Sequence, residues 1–121
     1  MFTYNTMQTF IGVVGLEPLH MIAPPSDDPR RLEQFPDELV DCLVTMTIRD
    51  IRPRDIVTPT SLRNALIVTM AMGGSTNVML HSVEIARAAG IDLWKDVLSQ
   101  DEFNALSHHL PVIVNMRPRC V

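Results

Sequence analysis

The stretch from Met70 to Gly90, MAMGGSTNVMLHSVEIARAAG, places two apolar helix patterns on either side of a Gly-Gly pair. Glycines adopt backbone angles closed to other residues and let another segment or a ligand approach closely. The polar run Ser75, Thr76 and Asn77 that follows is typical of the start of a helix. The stretch therefore predicts two helices joined by a tight turn. The free N–H groups at the start of the second helix could instead serve as an anion site.

Helical spacing of apolar residues also dominates the rest of the chain. It predicts helices over residues 5–14, 36–49, 60–72, 77–89 and 100–108. Ser99 and Glu102 form a capping box in front of the last one. The helix over 36–49 is expected to bury a face that consists of Leu39, Val40, Cys42, Leu43 and Met46.

Two segments depart from the helical pattern. Residues 16–35 contain four prolines and are predicted to form a long Pro-rich loop. Pro111 to Asn115, PVIVN, is typical of a buried strand. A lone strand leaves its edges unpaired, so its partners should lie outside this chain. The predicted fold is mainly helical, with about five helices and one orphan strand near the C-terminus.

Charge and hydropathy exclude two classes of partner. The 121-residue chain has a net charge of −4, and its Lys and Arg residues are scattered, so it lacks the basic footprint of a nucleic-acid-binding protein. No apolar run reaches the roughly 18 residues that a membrane span needs. We therefore expect one soluble, cytoplasmic domain or part of one.

The cysteines and histidines do not predict a metal site. Cys42 and Cys120 are too far apart in sequence for a usual ligand cluster, and Cys42 is expected to act as a small buried hydrophobe. None of the histidines occurs in an H-x-x-x-H pair; they are His20, His81, His108 and His109.

Three segments carry a family resemblance: MFTYNTMQTFIGVVGLEP, the long run IRPRDIVTPTSLRNALIVTMAMGGSTNVMLHSVEIARAAGIDL, and HHLPVIVNMRP. They resemble the dihydroxy-acid dehydratase and 6-phosphogluconate dehydratase family, with its motifs C-G-G-M-[FY]-T-x-N-T-M, P-R-D-I and A-x-G-G-S-T-N-x-x-L-H. The match keeps the family order from Met1 to about Pro118. It implies that residues 1–121 form the second half of an N-terminal, cluster-bearing domain of an α/β enzyme, with the Pro-rich loop 16–35 inside it.

The resemblance also implies an activity. Members of the family dehydrate a 2,3-dihydroxy acid or a sugar acid to a 2-keto acid, with an iron-sulfur cluster and Mg²⁺ as cofactors, in branched-chain amino acid biosynthesis or sugar-acid metabolism. The partners implied are a small dihydroxy acid and other copies of the chain in a homo-oligomer. A mitochondrial or plastid location is implied if the source is eukaryotic.

Much of the family's chemistry is not expected in this chain. The cluster cysteine of the first motif would precede Met1, and the other ligands and the base lie further away, so the chain alone should bind neither cofactor and be inactive. The segment that includes Pro18–Met21 and Pro24–Asp28 differs from the family and leaves the substrate subclass open. Asp50 stands where the family usually has Gly, which removes the expected helix stop. Alternatives are a non-catalytic helical interaction module and a truncated, inactive product.

Two sets of polar residues are candidate site residues. Thr3, Asn5 and Thr6 would follow the cluster cysteine of an intact relative and lie near the cluster, or else cap the first helix. The second set would line the active cleft or a subunit contact and consists of Ser75, Thr76, Asn77 and His81. The alternatives for this set are helix capping and, for His81, a hydrogen-bonded structural histidine.

If the partner strands lie outside this chain, a further prediction follows for the surface of the helices. Helices that normally pack on missing strands should leave apolar faces partly exposed. The side chains concerned are Leu66, Met70, Val83 and Ile85.

Overall fold

The structure, a computed structural model, describes residues 3–114. Its helices confirm the mainly helical prediction, and the five predicted helices are present with ends shifted by at most two residues. In chain order the helices are α1 (Thr3–Val14), α2 (Arg30–Glu33), α3 (Phe35–Ile48), α4 (Pro53–Ile56), α5 (Pro59–Ala71), α6 (Asn77–Ala88) and α7 (Gln100–His109). A π-helical turn, Leu93–Val97, lies between α6 and α7.

The core forms where α1 packs against α5 and α6. Phe10 of α1 and Leu62 of α5 are fully buried at its centre, and Ala86 brings α6 close to them. The π-helical turn closes one side of this core with Leu93 and Val97. Packing of α1 against α5 and α6 thus holds the first described turn of α1 and the α5–α6 turn in fixed relative positions.

Local hydrogen bonds fix the starts of two helices. Thr58 caps α5 by accepting from the N–H of Ser61, and Pro59 occupies the first turn. Ser99 and Glu102 make the predicted capping box of α7, with the Ser99 N–H donating to the Glu102 carboxylate at 3.0 Å. That N–H and the Ser99 hydroxyl lower the pKa of Glu102 below its ordinary value of 4.5.

The buried face predicted for α3 is wrong. Leu43 is 63% exposed, Val40 57% and Leu39 41%, Met46 is half-buried, and Cys42 is exposed. Within the described residues, buried Phe35 and the 2.7 Å contact between Glu38 and His20 anchor the N-terminal end of α3. Apolar periodicity shows that a helix has a face to bury, but not that this chain contains the segment that covers it.

The expected loss of a helix stop at Asp50 is also wrong. Asp50 takes a positive φ of 50° directly after α3, the conformation that glycine usually supplies. The N–H of Ile51 then donates to the carbonyl of Met46 at 2.9 Å, which closes the helix end. Asp tolerates the left-handed region better than most residues, so the stop is retained without glycine.

The orphan strand is not present in the described part of PVIVN, residues 111–114, and Asn115 lies outside the described residues. The N–H of Ile113 donates to the carbonyl of Ala71 at 2.9 Å, and Val112 and Ile113 are largely exposed. An apolar β-branched run becomes a strand only beside another strand, and residues 3–114 contain none. The predicted loop 16–35 contains two single turns of helix, Leu19–Met21 and α2.

None of the helices described between residues 3 and 114 is long and apolar enough to cross a membrane.

The prediction that Leu66 is partly exposed is wrong, because Leu66 is 1% exposed and lies in the core. Met70, Val83 and Ile85 are half-buried.

We expect Leu66→Ala to lower the free energy of unfolding by about 2–5 kcal/mol, since it leaves a cavity. Leu80→Ala is the matched control: Leu80 is 71% exposed on α6, and its loss should change stability by about 0.5 kcal/mol or less. Denaturant unfolding of both variants tests this, and equal losses would contradict the assigned core.

Candidate functional site

The turn between α5 and α6 begins with a glycine that ends α5. Gly73 has a φ of 61°, which only glycine adopts freely. The N–H of Gly74 donates to the carbonyl of Thr69 at 2.9 Å, and the N–H of Gly73 donates to that of Met70 at 3.0 Å. This pair of bonds is a Schellman motif, which satisfies the last carbonyls of α5 and turns the chain toward α1.

The second glycine of the pair has a different role. A Cβ atom on residue 74 would lie 2.5 Å from Cγ2 of Thr69 and 2.8 Å from Cγ2 of Thr6. Gly74 therefore lets the turn approach α1 more closely than any other residue would. The two glycines together bring Ser75 and Asn77 to the N-terminal end of α1.

Four candidate residues from the two predicted sets are joined by hydrogen bonds. The N–H of Ser75 donates to Oγ1 of Thr6 at 3.0 Å, across 69 residues of sequence. Asn77 donates from Nδ2 to Oγ1 of Thr3 at 3.1 Å, and the hydroxyls of Thr3 and Ser75 lie 3.3 Å apart. We call Thr3, Thr6, Ser75 and Asn77 the polar cluster.

The polar cluster lies at the start of α6, beside the first described turn of α1. Thr3 is the first described residue of α1, and α6 starts at Asn77, so the positive end of the α6 dipole lies at the cluster. Thr6 is fully buried, Ser75 is half-buried, and Thr3 and Asn77 are exposed. The cluster thus offers hydroxyl and amide groups at the surface, on a buried base, in a field that favours an anion. Its side chains do not titrate near neutral pH, so it can bind and orient but not act as a general base.

The other candidate residues occupy separate positions. Asn5 is half-buried in α1, and its carbonyl accepts from the Thr9 hydroxyl at 2.8 Å. Thr76 is exposed and makes no side-chain capping bond to α6. Ser75 accepts from the N–H of Asn77 at 3.4 Å, so the capping contact at the start of α6 comes from one residue earlier in the chain.

His81 is exposed on α6. It lines a shallow depression of 570 Å³ together with Met7 and Glu84. Arg87 donates hydrogen bonds to Glu84 and lowers its pKa below the ordinary value.

The described residues do not fit an iron-sulfur cluster or a magnesium ion. Residues 3–114 contain no group of three or more His, Cys, Asp or Glu side chains that could hold a metal ion. The polar cluster supplies hydroxyls and an amide, whereas an iron-sulfur cluster requires thiolates and Mg²⁺ prefers carboxylates. Cys42 lies exposed on α3, contrary to its predicted burial, and Cys120 lies outside the described residues.

Thr69 lies beside the polar cluster and is not among the residues that the sequence motifs single out. Thr69 is buried in the last turn of α5, where its hydroxyl donates to the carbonyl of Ala65 at 2.7 Å. Its methyl lies next to the position that a Cβ atom of residue 74 would occupy. A threonine at a core position of a helix just before a glycine pair was the available signal, because such a hydroxyl bonds back to its own helix.

Comparison with known proteins assigns the sequence to a family. The sequence model described as dihydroxy-acid/6-phosphogluconate dehydratase N-terminal matches residues 1–120. The chain belongs to this family. The match confirms the resemblance carried by the sequence motifs, and the polar cluster consists of residues from two of those motifs.

Individual relatives agree with the family match. The chain is 37% identical over 119 residues to the chloroplastic dihydroxy-acid dehydratase of Arabidopsis thaliana. The aligned residues make up 98% of this chain and 18% of the relative. It is 38% identical over 118 residues to the dihydroxy-acid dehydratase of Prochlorococcus marinus strain AS9601, covering 98% and 20%. The mitochondrial enzyme of Aspergillus terreus is 36% identical over 118 residues, covering 98% and 19%. The chain thus spans about a fifth of the length of these relatives.

Proposed function

We propose that this chain is a helical part of a hydro-lyase that dehydrates a 2,3-dihydroxy acid to a 2-keto acid, and that it contributes the polar cluster to the substrate site. The observation that supports this most is the joining of Thr3 and Thr6 to Ser75 and Asn77, since residues of two separate family motifs meet at one point. The relatives named dihydroxy-acid dehydratase support the reaction class.

The chemistry of the polar cluster matches an acidic substrate. A dihydroxy acid carries a carboxylate, and the N-terminal end of α6 favours a negative charge. Nδ2 of Asn77 has a second hydrogen beyond the one given to Thr3, and the hydroxyls of Thr3 and Ser75 can each donate or accept. These groups would orient a carboxylate and an adjacent hydroxyl, while buried Thr6 holds Ser75 in place.

The iron-sulfur cluster and Mg²⁺ would come from other parts of a family-length enzyme. The residues described here do not fit either group, so we assign this chain no step that involves them. A sugar acid is the second substrate to test, because the family description includes 6-phosphogluconate dehydratase. The homo-oligomer and the second-half position in an N-terminal domain stay predictions. The location also stays a prediction. The names of the relatives include a chloroplastic and a mitochondrial protein, which is consistent with an organelle.

The test uses a chimera in which this chain replaces the matching segment of the Arabidopsis enzyme. We expect it to form 2-keto acid from dihydroxyisovalerate. Thr6→Val keeps the shape but removes the acceptor for Ser75, and Asn77→Ala removes the amide. Each should lower kcat/KM about tenfold or more, the effect of leaving one partner of a hydrogen bond unpaired.

Asn104→Ala is the matched control for Asn77→Ala, because Asn104 is exposed on α7. Its kcat/KM should equal that of the parent chimera. Unchanged turnover in both Thr6→Val and Asn77→Ala would contradict a role of the polar cluster at the substrate site.

A further inference from the structure

We propose that Gly74, together with Thr69, is a positioning residue that sets the distance between the start of α1 and the start of α6, and with it the geometry of the polar cluster. The proposal rests on the proposed function for its link to catalysis. It adds two residues that make no contact with substrate and act through Thr6 and Ser75.

Gly74 is required for space and not for backbone conformation. In the described residues the glycines with positive φ are Gly15, Gly73 and Gly90, so the backbone angles of Gly74 are open to other residues. Any side chain there would nevertheless meet Cγ2 of Thr69 at 2.5 Å and Cγ2 of Thr6 at 2.8 Å. Alanine at this position therefore tests close approach alone.

The two threonine methyls are held in place by their own hydroxyls. Thr69 Oγ1 donates to the carbonyl of Ala65 at 2.7 Å, and Thr6 Oγ1 accepts from the N–H of Ser75 at 3.0 Å. A β-branched side chain with its hydroxyl engaged has little freedom to rotate its methyl away. Both residues are buried, so neither has room to shift.

A methyl group at residue 74 must therefore push the turn away from α1. The carbonyl of Thr69 would lie 3.0 Å from the added atom, which blocks movement back toward α5. Ser75 is the next residue, so its N–H leaves Thr6 first, and the contact between Asn77 and Thr3 is strained with it. A displacement of about 1 Å in a group that orients substrate can lower turnover about a hundredfold.

The first measurement is amide hydrogen exchange by NMR on the full 121-residue chain. Gly74→Ala should speed exchange at the Ser75 amide about tenfold or more relative to core amides such as that of Leu66, because it loses its partner. Gly74→Ala/Thr6→Ser/Thr69→Ser removes both methyls that the added Cβ would meet, keeps both hydroxyls, and should restore most of the Ser75 protection. Unchanged protection in Gly74→Ala would overturn the proposal.

Gly90→Ala is the matched control, since Gly90 has a φ of 80° and no atom within 4 Å of an added Cβ. It strains the backbone without a contact, so Ser75 should keep its protection relative to the core. If Gly74→Ala unfolds the chain, the triple variant still decides: a folded triple variant with Ser75 protected supports the positioning role, and one with Ser75 released or with no fold overturns it.

The second measurement is turnover in the chimera. Gly74→Ala should lower kcat/KM about a hundredfold, and Gly74→Ala/Thr6→Ser/Thr69→Ser should recover most of it, which a general loss of stability would not do. Release of Ser75 with unchanged turnover would overturn the positioning role. Failure of the proposed function has a different signature, namely full turnover in Thr6→Val and Asn77→Ala.

Discussion

The isolated 121-residue chain is expected to form no 2-keto acid from dihydroxyisovalerate or from a sugar acid after anaerobic treatment with iron, sulfide and magnesium. The described residues contain no cluster of metal-ligating side chains, and the polar cluster has no titratable group to remove a proton. Loss of several members of a catalytic unit is seldom offset by those that stay, because binding groups alone give a small part of the rate enhancement.

This expectation is checked by visible absorbance and by a keto-acid assay. The treated chain should show no iron-sulfur absorbance and no product above a protein-free sample, whereas the chimera given the same treatment should show both. The chimera is the control because it contains the same residues within a family-length enzyme. Keto acid formed by the isolated chain would contradict the assignment of the metal chemistry to other segments.

Local sequence signals predicted the parts of the fold that depend on local interactions. The Gly-Gly pair correctly indicated a tight turn between α5 and α6, and the capping box at Ser99 correctly indicated the start of α7. These features are decided within a few residues by hydrogen bonds and backbone angles. For the same reason the helix ends agree closely with the periodicity.

The errors arose where the outcome depends on which segments meet. The apolar pattern of α3 predicted burial, but the structure leaves Leu43 exposed. Within residues 3–114, the described part of PVIVN has no strand beside it, although its composition favours one. The loss of the helix stop at Asp50 was inferred from the family's preference for glycine. Asp itself tolerates the positive φ that this stop requires. Such long-range partners are not encoded in the spacing of residues along one element.

The candidate site shows the same division. The sequence singled out Thr3, Thr6, Ser75 and Asn77, but as two separate sets with different expected roles. These residues meet only because α1 packs closely against the α5–α6 turn. That packing is possible because Thr6 is fully buried and Gly74 has no side chain. A contact across 69 residues could not be inferred from either motif alone.

The exposed face of α3 has the largest expected effect on the behaviour of the chain in solution. Its apolar side chains share one side of a 14-residue helix that is anchored at its N-terminal end. They are Leu39, Val40, Leu43, Val44 and Ile48, between 41% and 79% exposed. Contiguous apolar surface of this kind promotes association. The chain should bind a hydrophobic dye and sediment as a species larger than a monomer.

Leu43→Glu places a charge at the centre of this face and should reduce dye fluorescence by about half or more while shifting sedimentation to the monomer. Thr45→Glu is the matched control, since it adds the same charge to the same helix at an exposed position on the opposite side. It should leave dye binding and sedimentation unchanged. If the unsubstituted chain is monomeric and does not bind dye, or if both variants behave alike, the α3 face does not drive association. Because the Leu66 core lies on other helices, both variants should keep the unfolding transition of the unsubstituted chain, which separates a surface effect from a loss of fold.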